Sequence, residues 1–191
     1  ITKGYRLVQD VKPGGVFLVN CQWTPEELNE HFNAETKRYI AQNDIKLYTI
    51  DAIDLAAKVG MGKRTNTTLQ SAFFALAGVL PQEEAIQYMK DAATKSYMKK
   101  GQDIVNMNHA AIDAGANAFV KIDVPADWAN AADDPAPAPL AGDPALVKMV
   151  TDIMQPVGLM QGDSLPVSAF VDHIDGQWPL GAAAYEKRGL A

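Results

Sequence analysis

The apolar positions of this chain fall into two kinds of run. Two are short and unbroken: VFLVN (Val16–Asn20) and IKLYTID (residues 45–51). That length and composition predict strands buried in a parallel sheet. The others are longer and mixed with polar residues, and they predict helices. WTPEE opens the first, with Thr24 as N-cap, Pro25 as first helical residue and Glu27 as the return arm of a capping box. ELNEHF and ETKRYIAQND continue it. AIDLAAKVG is a second helix, ending at Gly60, a residue suited to a left-handed C-terminal cap. TTLQSAFFALAGVL carries no charge and predicts a helix buried on most sides. Pro81 starts PQEEAIQYMKDAATKSY, and KGQDIVNMNHAAIDAGANAF follows as another helix. Residues 1–10 read as a short helix or its tail, VKPGG as a turn, and VKIDVP as a last extended segment.

Strands alternating with helices define an α/β class with parallel pairing. The expected architecture is three-layer α/β with a partly parallel sheet that is incomplete here. Two strands make too small an open sheet, so either VKIDV adds one or residues before Ile1 do. Past residue 123 the pattern changes. DWANAADDPAPAPLAGDP has no periodicity and reads as an extended linker over residues 124–143. PALVKMVTDIM is one amphipathic helix, and the rest of residues 144–191 forms a small, irregular, helix-containing tail. That tail is too short to bury much core alone. Yet Leu165, Val167, Phe170, Trp178, Leu180 and Tyr185 are too apolar to be left in water, which predicts a partner surface for them.

Charge narrows the function. The net charge is −6 and the isoelectric point about 5.0, against non-specific nucleic-acid binding and against an anionic membrane surface. No apolar stretch reaches the roughly 20 residues of a membrane helix, and no signal peptide is visible. The single cysteine, Cys21, cannot form an internal disulfide or supply a four-cysteine cluster, and a nucleophilic role would need a nearby base. Low cysteine use fits a reducing cytoplasm. The chain opens on Ile1 and not on methionine, which predicts a processed product or, better, an excised piece of a longer protein.

One turn stands out for chemistry. GMGKRTNT places Gly62, Lys63, Arg64, Thr65 and Asn66 directly before the uncharged helix. It is not a phosphate-binding P-loop: position 57 is alanine and Arg64 follows the lysine. It is not a dinucleotide fingerprint either, because it follows a helix and Thr65 stands at the third glycine. Two readings stay open. Asn66 or Thr67 caps the helix, or free N–H groups, the positive helix end and the two cations hold a phosphate or carboxylate. Asn106, His109 and Asp113 share one helical face, read as solvated or inter-domain; the glutamates at 26, 27, 83 and 84 read as first-turn acids.

Taken together, PGGVFLVN, YTIDAIDLAAKVGMGKRTNTTLQSAFFALAGVLP, EEAIQYMKDAATKSYMKKGQDIVNMNHAAIDAG, KIDVPADWA, GDSLPVSAFVDHIDG and WPLGAAAYEKRGLA resemble the middle of a pyruvate:ferredoxin or pyruvate:flavodoxin oxidoreductase. The likeness spans nearly the whole chain, the Pro/Ala linker apart. It implies that residues 1–123 are the C-terminal part of the gamma (third) domain and that 144–191 are the small wrapping domain leading towards an iron–sulfur domain. It further implies a cytoplasmic, multidomain, dimeric enzyme using thiamine diphosphate, Mg2+ and [4Fe–4S] clusters, with ferredoxin or flavodoxin as acceptor and coenzyme A as acetyl acceptor. None of the thiamine-binding or cluster-binding residues of that family falls in this chain. No catalytic residue and no metal ligand is therefore assigned here, and the piece by itself is expected to be inactive. The resemblance turns Gly62, Lys63, Arg64, Thr65 and Asn66 into candidate coenzyme A contacts. Rival readings are a purely inter-domain and dimer-interface module, and a stand-alone anion-binding α/β domain.

Overall fold

A computed structural model describes residues 7–136 and 138–186. The expected helix over residues 1–10 lies partly outside that range; Leu7–Asp10 form a single 3-10 turn. Three strands make one sheet in the order β1-β2-β3. β1 (Val16–Asn20) runs parallel to β2 (Lys46–Ile50), with Val16 opposite Lys46 and Asn20 opposite Ile50. β3 (Val120–Lys121) is the added strand, and it is antiparallel, pairing Val120 with Thr49. The fold is thus mixed α/β with a small, partly parallel sheet.

Alternation along β1 and β2 sends Phe17, Val19 and Leu47 to one face. There they meet α1 (Pro25–His31) and α2 (Ala34–Gln42) through Leu28, Phe32 and Ile40. The capping box is present: Thr24 accepts from the Glu27 amide at 3.2 Å, and Glu27 accepts from the Thr24 amide at 2.8 Å. The predicted single helix is broken in two, however. Phe32 is extended so that its ring reaches the core, and Asn33 caps the restart by accepting from the Thr36 amide.

The other sheet face carries Leu18 and Tyr48. Phe119 meets Tyr48 edge-on, with centroids 5.8 Å apart. On this side lie α3 (Ala52–Lys58), α4 (Asn66–Ala77), α5 (Gln82–Tyr97) and α6 (Gln102–Asn117). α3 and α6 close over Ala56, Met61 and Ala111, and Ser71 on α4 donates to the Ile112 carbonyl at 2.6 Å.

Two expectations are corrected here. α4 is not buried on most sides. It approaches α6 through the small face Thr68, Ser71 and Ala72, the residues of the helix that are fully buried. Phe73 is 56% exposed, and Val79 and Leu80 beyond the helix end are also exposed. The face of Asn106, His109 and Asp113 is solvated only in part: Asn106 and Asp113 are exposed, while His109 Nε2 lies 2.9 Å from Thr94 Oγ1 and 3.0 Å from the Lys90 carbonyl, and Lys90 pairs with Asp113 at 2.7 Å. His109 and Asp113 thereby join α6 to α5.

After β3 the chain straps back across α1 and α2. Trp128 is buried, stacks edge-on with Phe32 and donates from Nε1 to Asn29 at 2.9 Å. Arg38 holds the Ala131 carbonyl and Asp133, and Asp134 accepts from the Ala34 amide at the start of α2. Further on, α7 (Pro144–Met149), a π-helical turn (Val150–Met154) and α8 (Gln155–Gly158) bury Met149, Val150 and Ile153. The remainder is 3-10 turns and loops, with Val167 92%, Ile174 88% and Leu180 95% exposed.

Candidate functional site

The basic turn is held at its base by backbone hydrogen bonds and left open at its tip. α3 ends in a left-handed cap. Gly60 takes φ +82°, its amide donates to Ala57, and the Met61 amide donates back to Ala56 at 2.8 Å. Met61 packs on Ala56, as this kind of cap favours. Gly60 is therefore the C-terminal stop the sequence predicts, one residue beyond the cap position at Val59.

Gly62 takes φ +61° with nothing within 4 Å of where a Cβ would stand. Lys63 and Arg64 follow, both exposed. The Arg64 side chain curls back so that Nε donates to the Met61 carbonyl at 3.1 Å, leaving its outer nitrogens free to face a ligand. Among the described residues neither cation forms an ion pair. Thr65 occupies the N-cap of α4 in a helical conformation, and its side chain makes no capping bond. Asn66 is the first helical residue, and the Thr67 hydroxyl turns towards Asn108 at 3.5 Å. The expectation that Asn66 or Thr67 caps the helix is thus not met. The first-turn amides of α4 carry no side-chain cap beside two unpaired cations, an arrangement suited to an anion. All five predicted residues, Gly62 to Asn66, lie together on this one turn.

A second feature was not legible as a site. Asn20 ends β1, and Asp51 follows the end of β2. Asn20 Oδ1 accepts from the Ala52 amide at 2.9 Å, and Asp51 caps α3 by accepting from the Asp54 amide at 3.0 Å. Between them opens a cleft of about 600 Å3, lined by Asn20, Cys21, Trp23, Asp51, Ile53 and Asp54 among others. Burial pushes the Cys21 thiol above its usual range; the nearby Asp51 and Glu27 carboxylates push the same way, against a backbone hydrogen bond from Trp23. Such a thiol is a weak nucleophile. The only sequence signal was a short polar residue at the end of the first strand, Asn20, and directly after the second, Asp51. Cleft and basic turn share no residue.

The donor chemistry excludes a cluster site within this piece: one cysteine cannot provide the ligands of a [4Fe–4S] centre. Among the described residues, no group of three or more His, Cys, Asp or Glu is placed to hold a metal ion. No helix among them is long and apolar enough to cross a membrane.

Fold and turn together define an α/β segment with an open cationic helix mouth. Comparison with known proteins gives the family. The family model described as pyruvate ferredoxin/flavodoxin oxidoreductase matches residues 2–118, and a second, described as a domain of unknown function, matches 134–191. The chain is similar to the pyruvate:ferredoxin oxidoreductase of Moorella thermoacetica, 44% identical over 98% of this chain and 16% of the relative. It is 46% identical to the pyruvate-flavodoxin oxidoreductase of Enterobacter agglomerans, again over 98% of this chain and 16% of the relative. A mitochondrial pyruvate dehydrogenase (NADP+) of Euglena gracilis is 34% identical over 99% of this chain and 10% of its own length. The chain belongs to the pyruvate ferredoxin/flavodoxin oxidoreductase family. It spans about a sixth of the length of the bacterial relatives named here.

Proposed function

We propose that this chain is a segment of a pyruvate:ferredoxin or pyruvate:flavodoxin oxidoreductase, and that its turn Gly62 to Asn66 contributes to coenzyme A binding and active-site closure. The parent reaction converts pyruvate and coenzyme A to acetyl-CoA and CO2 with electrons passed to the acceptor protein. The observation that carries the reading is the pair of unpaired cations, Lys63 and Arg64, beside an α4 mouth without a side-chain cap. Coenzyme A brings a diphosphate and a ribose phosphate. A planar guanidinium and free backbone N–H groups suit both. Thiamine diphosphate, Mg2+ and the clusters belong, on this reading, to other domains of a cytoplasmic homodimer, with residues 1–123, 124–143 and 144–191 dividing as domain, linker and wrapping tail. The relatives are named for three acceptors, ferredoxin, flavodoxin and NADP+, which supports a choice of acceptor made outside this segment. In the full-length enzyme, replacing Arg64 by alanine should raise the KM for coenzyme A and leave the KM for pyruvate unchanged. An unaltered coenzyme A KM overturns the assignment.

A second role, inter-domain packing, is favoured by a separate observation. Phe73, Val79 and Leu80 around α4, and Val167, Ile174 and Leu180 in the tail, expose far more apolar surface than scattered single residues would. In the parent enzyme these are the surfaces for neighbouring domains, and charged substitutions there should dissociate or unfold the parent without touching the coenzyme A KM.

A further inference from the structure

We propose that the cleft at the carboxyl ends of β1 and β2 binds an organic cation, an ammonium or guanidinium group on an apolar stem. The argument begins with topology. The connection leaving β1 leads to α1, on the sheet face of Val19 and Leu47. The connection leaving β2 leads to α3, on the face of Tyr48 and α6. Two parallel neighbours whose connections depart to opposite faces leave a crevice at their carboxyl ends, and this is where open α/β sheets place ligands. Here the crevice is real. Its volume is about 600 Å3, well inside the range of small-molecule sites. Its two rims are tied together by the Asn20 to Ala52 hydrogen bond, so it does not depend on loose loops.

The lining chooses the ligand. Asp51 uses one carboxylate oxygen to cap α3, at 3.0 Å from the Asp54 amide, and leaves the other for a ligand. Asp54 is already paired with Lys58 at 2.6 Å, so Asp51 is the carboxylate available. The Trp23 indole is held by stacking on His31, with centroids 4.0 Å apart, and it lines the cleft with Ile53 and Ala57. An indole beside a carboxylate, with an aliphatic wall, is the chemistry that recognises a cation on an apolar stem. The cleft is lined by Asp51 and Asp54 whereas the basic turn carries Lys63 and Arg64, so the two sites differ in preference and their tests are independent. The cation has two possible sources: a free amine, or a lysine or arginine of the remaining five-sixths or so of the parent polypeptide.

Cys21 lines the cleft and serves as the reporter. In the native polypeptide that contains this chain, Cys21 is modified with a cationic thiosulfonate (ethylammonium) or its anionic counterpart (ethylsulfonate). Rates are read at the Cys21 peptide by mass spectrometry and normalised to the same chain in denaturant. The cationic reagent should be favoured by at least about tenfold. Asp51→Asn, which keeps the helix cap, should bring the normalised ratio close to one. Slowing of the cationic reagent by agmatine marks a site open to a free amine. Slow modification by both reagents that about 1 M salt accelerates marks a site already filled by a side chain of the same polypeptide. A wild-type ratio near one, an anionic preference, a ratio indifferent to Asp51→Asn, or slow modification at every salt concentration overturns the proposal.

Discussion

Gly115 on α6 faces the backbone carbonyl of Thr68 on α4 so closely that a Cβ built at Gly115 would come to 2.1 Å from that oxygen. The next contacts, the Thr68 carbonyl carbon and Ser71 Cβ, would be 2.9 and 3.0 Å away. Neither obstacle is the far end of a flexible side chain, so no rotamer change relieves the clash. Gly115→Ala should push the helices apart and cost about 3 kcal/mol, a fall in melting temperature of roughly 6–12 °C. Thermal unfolding followed by circular dichroism checks this; a change under about 1 °C would contradict the packing described.

Trp128 should be a second large contributor, although it lies in a stretch that reads as linker. It fills the core beside Phe32 and donates to Asn29 at 2.9 Å. Trp128→Ala should cost about 3–5 kcal/mol, and Asn29→Ala about 1 kcal/mol through loss of the indole partner. Urea unfolding midpoints of the two variants measure the difference. Equal effects would mean that the strap is held by its hydrogen bonds and not by the ring.

Arg64 and Lys63 should separate in a coenzyme A titration of the parent enzyme. Arg64→Ala removes a planar fork and should raise the coenzyme A KM by roughly tenfold. Arg64→Lys should recover only part, because a point charge cannot bind two phosphate oxygens side by side. Lys63→Ala should have the smaller effect, since among the described residues no hydrogen bond or ion pair orients Lys63, whereas Arg64 is anchored on the Met61 carbonyl. Steady-state kinetics at saturating pyruvate decide the order.

Cys21 predicts an alkaline pH dependence. Its folded-state pKa is raised, chiefly by burial. The folded thiol therefore keeps its proton at a pH where the unfolded thiol has lost it. The contribution to stability is complete below the unfolded value, about 8.5, and is lost as pH rises through the folded value. Stability of the wild-type chain should thus decline more steeply above that range than stability of Cys21→Ala. Parallel pH profiles for the two would remove burial as the cause.

Much of the local structure was legible because its causes are local. Thr24, Pro25 and Glu27 announce α1, and the capping box forms as written. Gly60 ends α3 because only glycine takes φ +82° there without strain. The basic turn was visible as five adjacent residues. Other features were not legible. Phe32 interrupts a stretch that reads as one helix because its ring is needed in the core, a demand set by β1 and β2. Trp128 sits in Pro- and Ala-rich sequence and gives no periodic signal, yet Asn29 and Phe32, about a hundred residues earlier, capture it.

The sequence by itself determined the class of fold, the two parallel strands, the capping box of α1, the glycine stop of α3, the net charge, and the family, since all of these rest on residue types at short spacing. Only the tertiary structure decided that β3 is antiparallel, that α4 buries a narrow face and leaves Phe73 exposed, that His109 serves α5, and that Asn20 and Asp51 frame a cleft. These depend on which surfaces meet across long separations. Short-range propensity carries no information about that, because the same apolar or polar residue is satisfied equally well by any partner that reaches it.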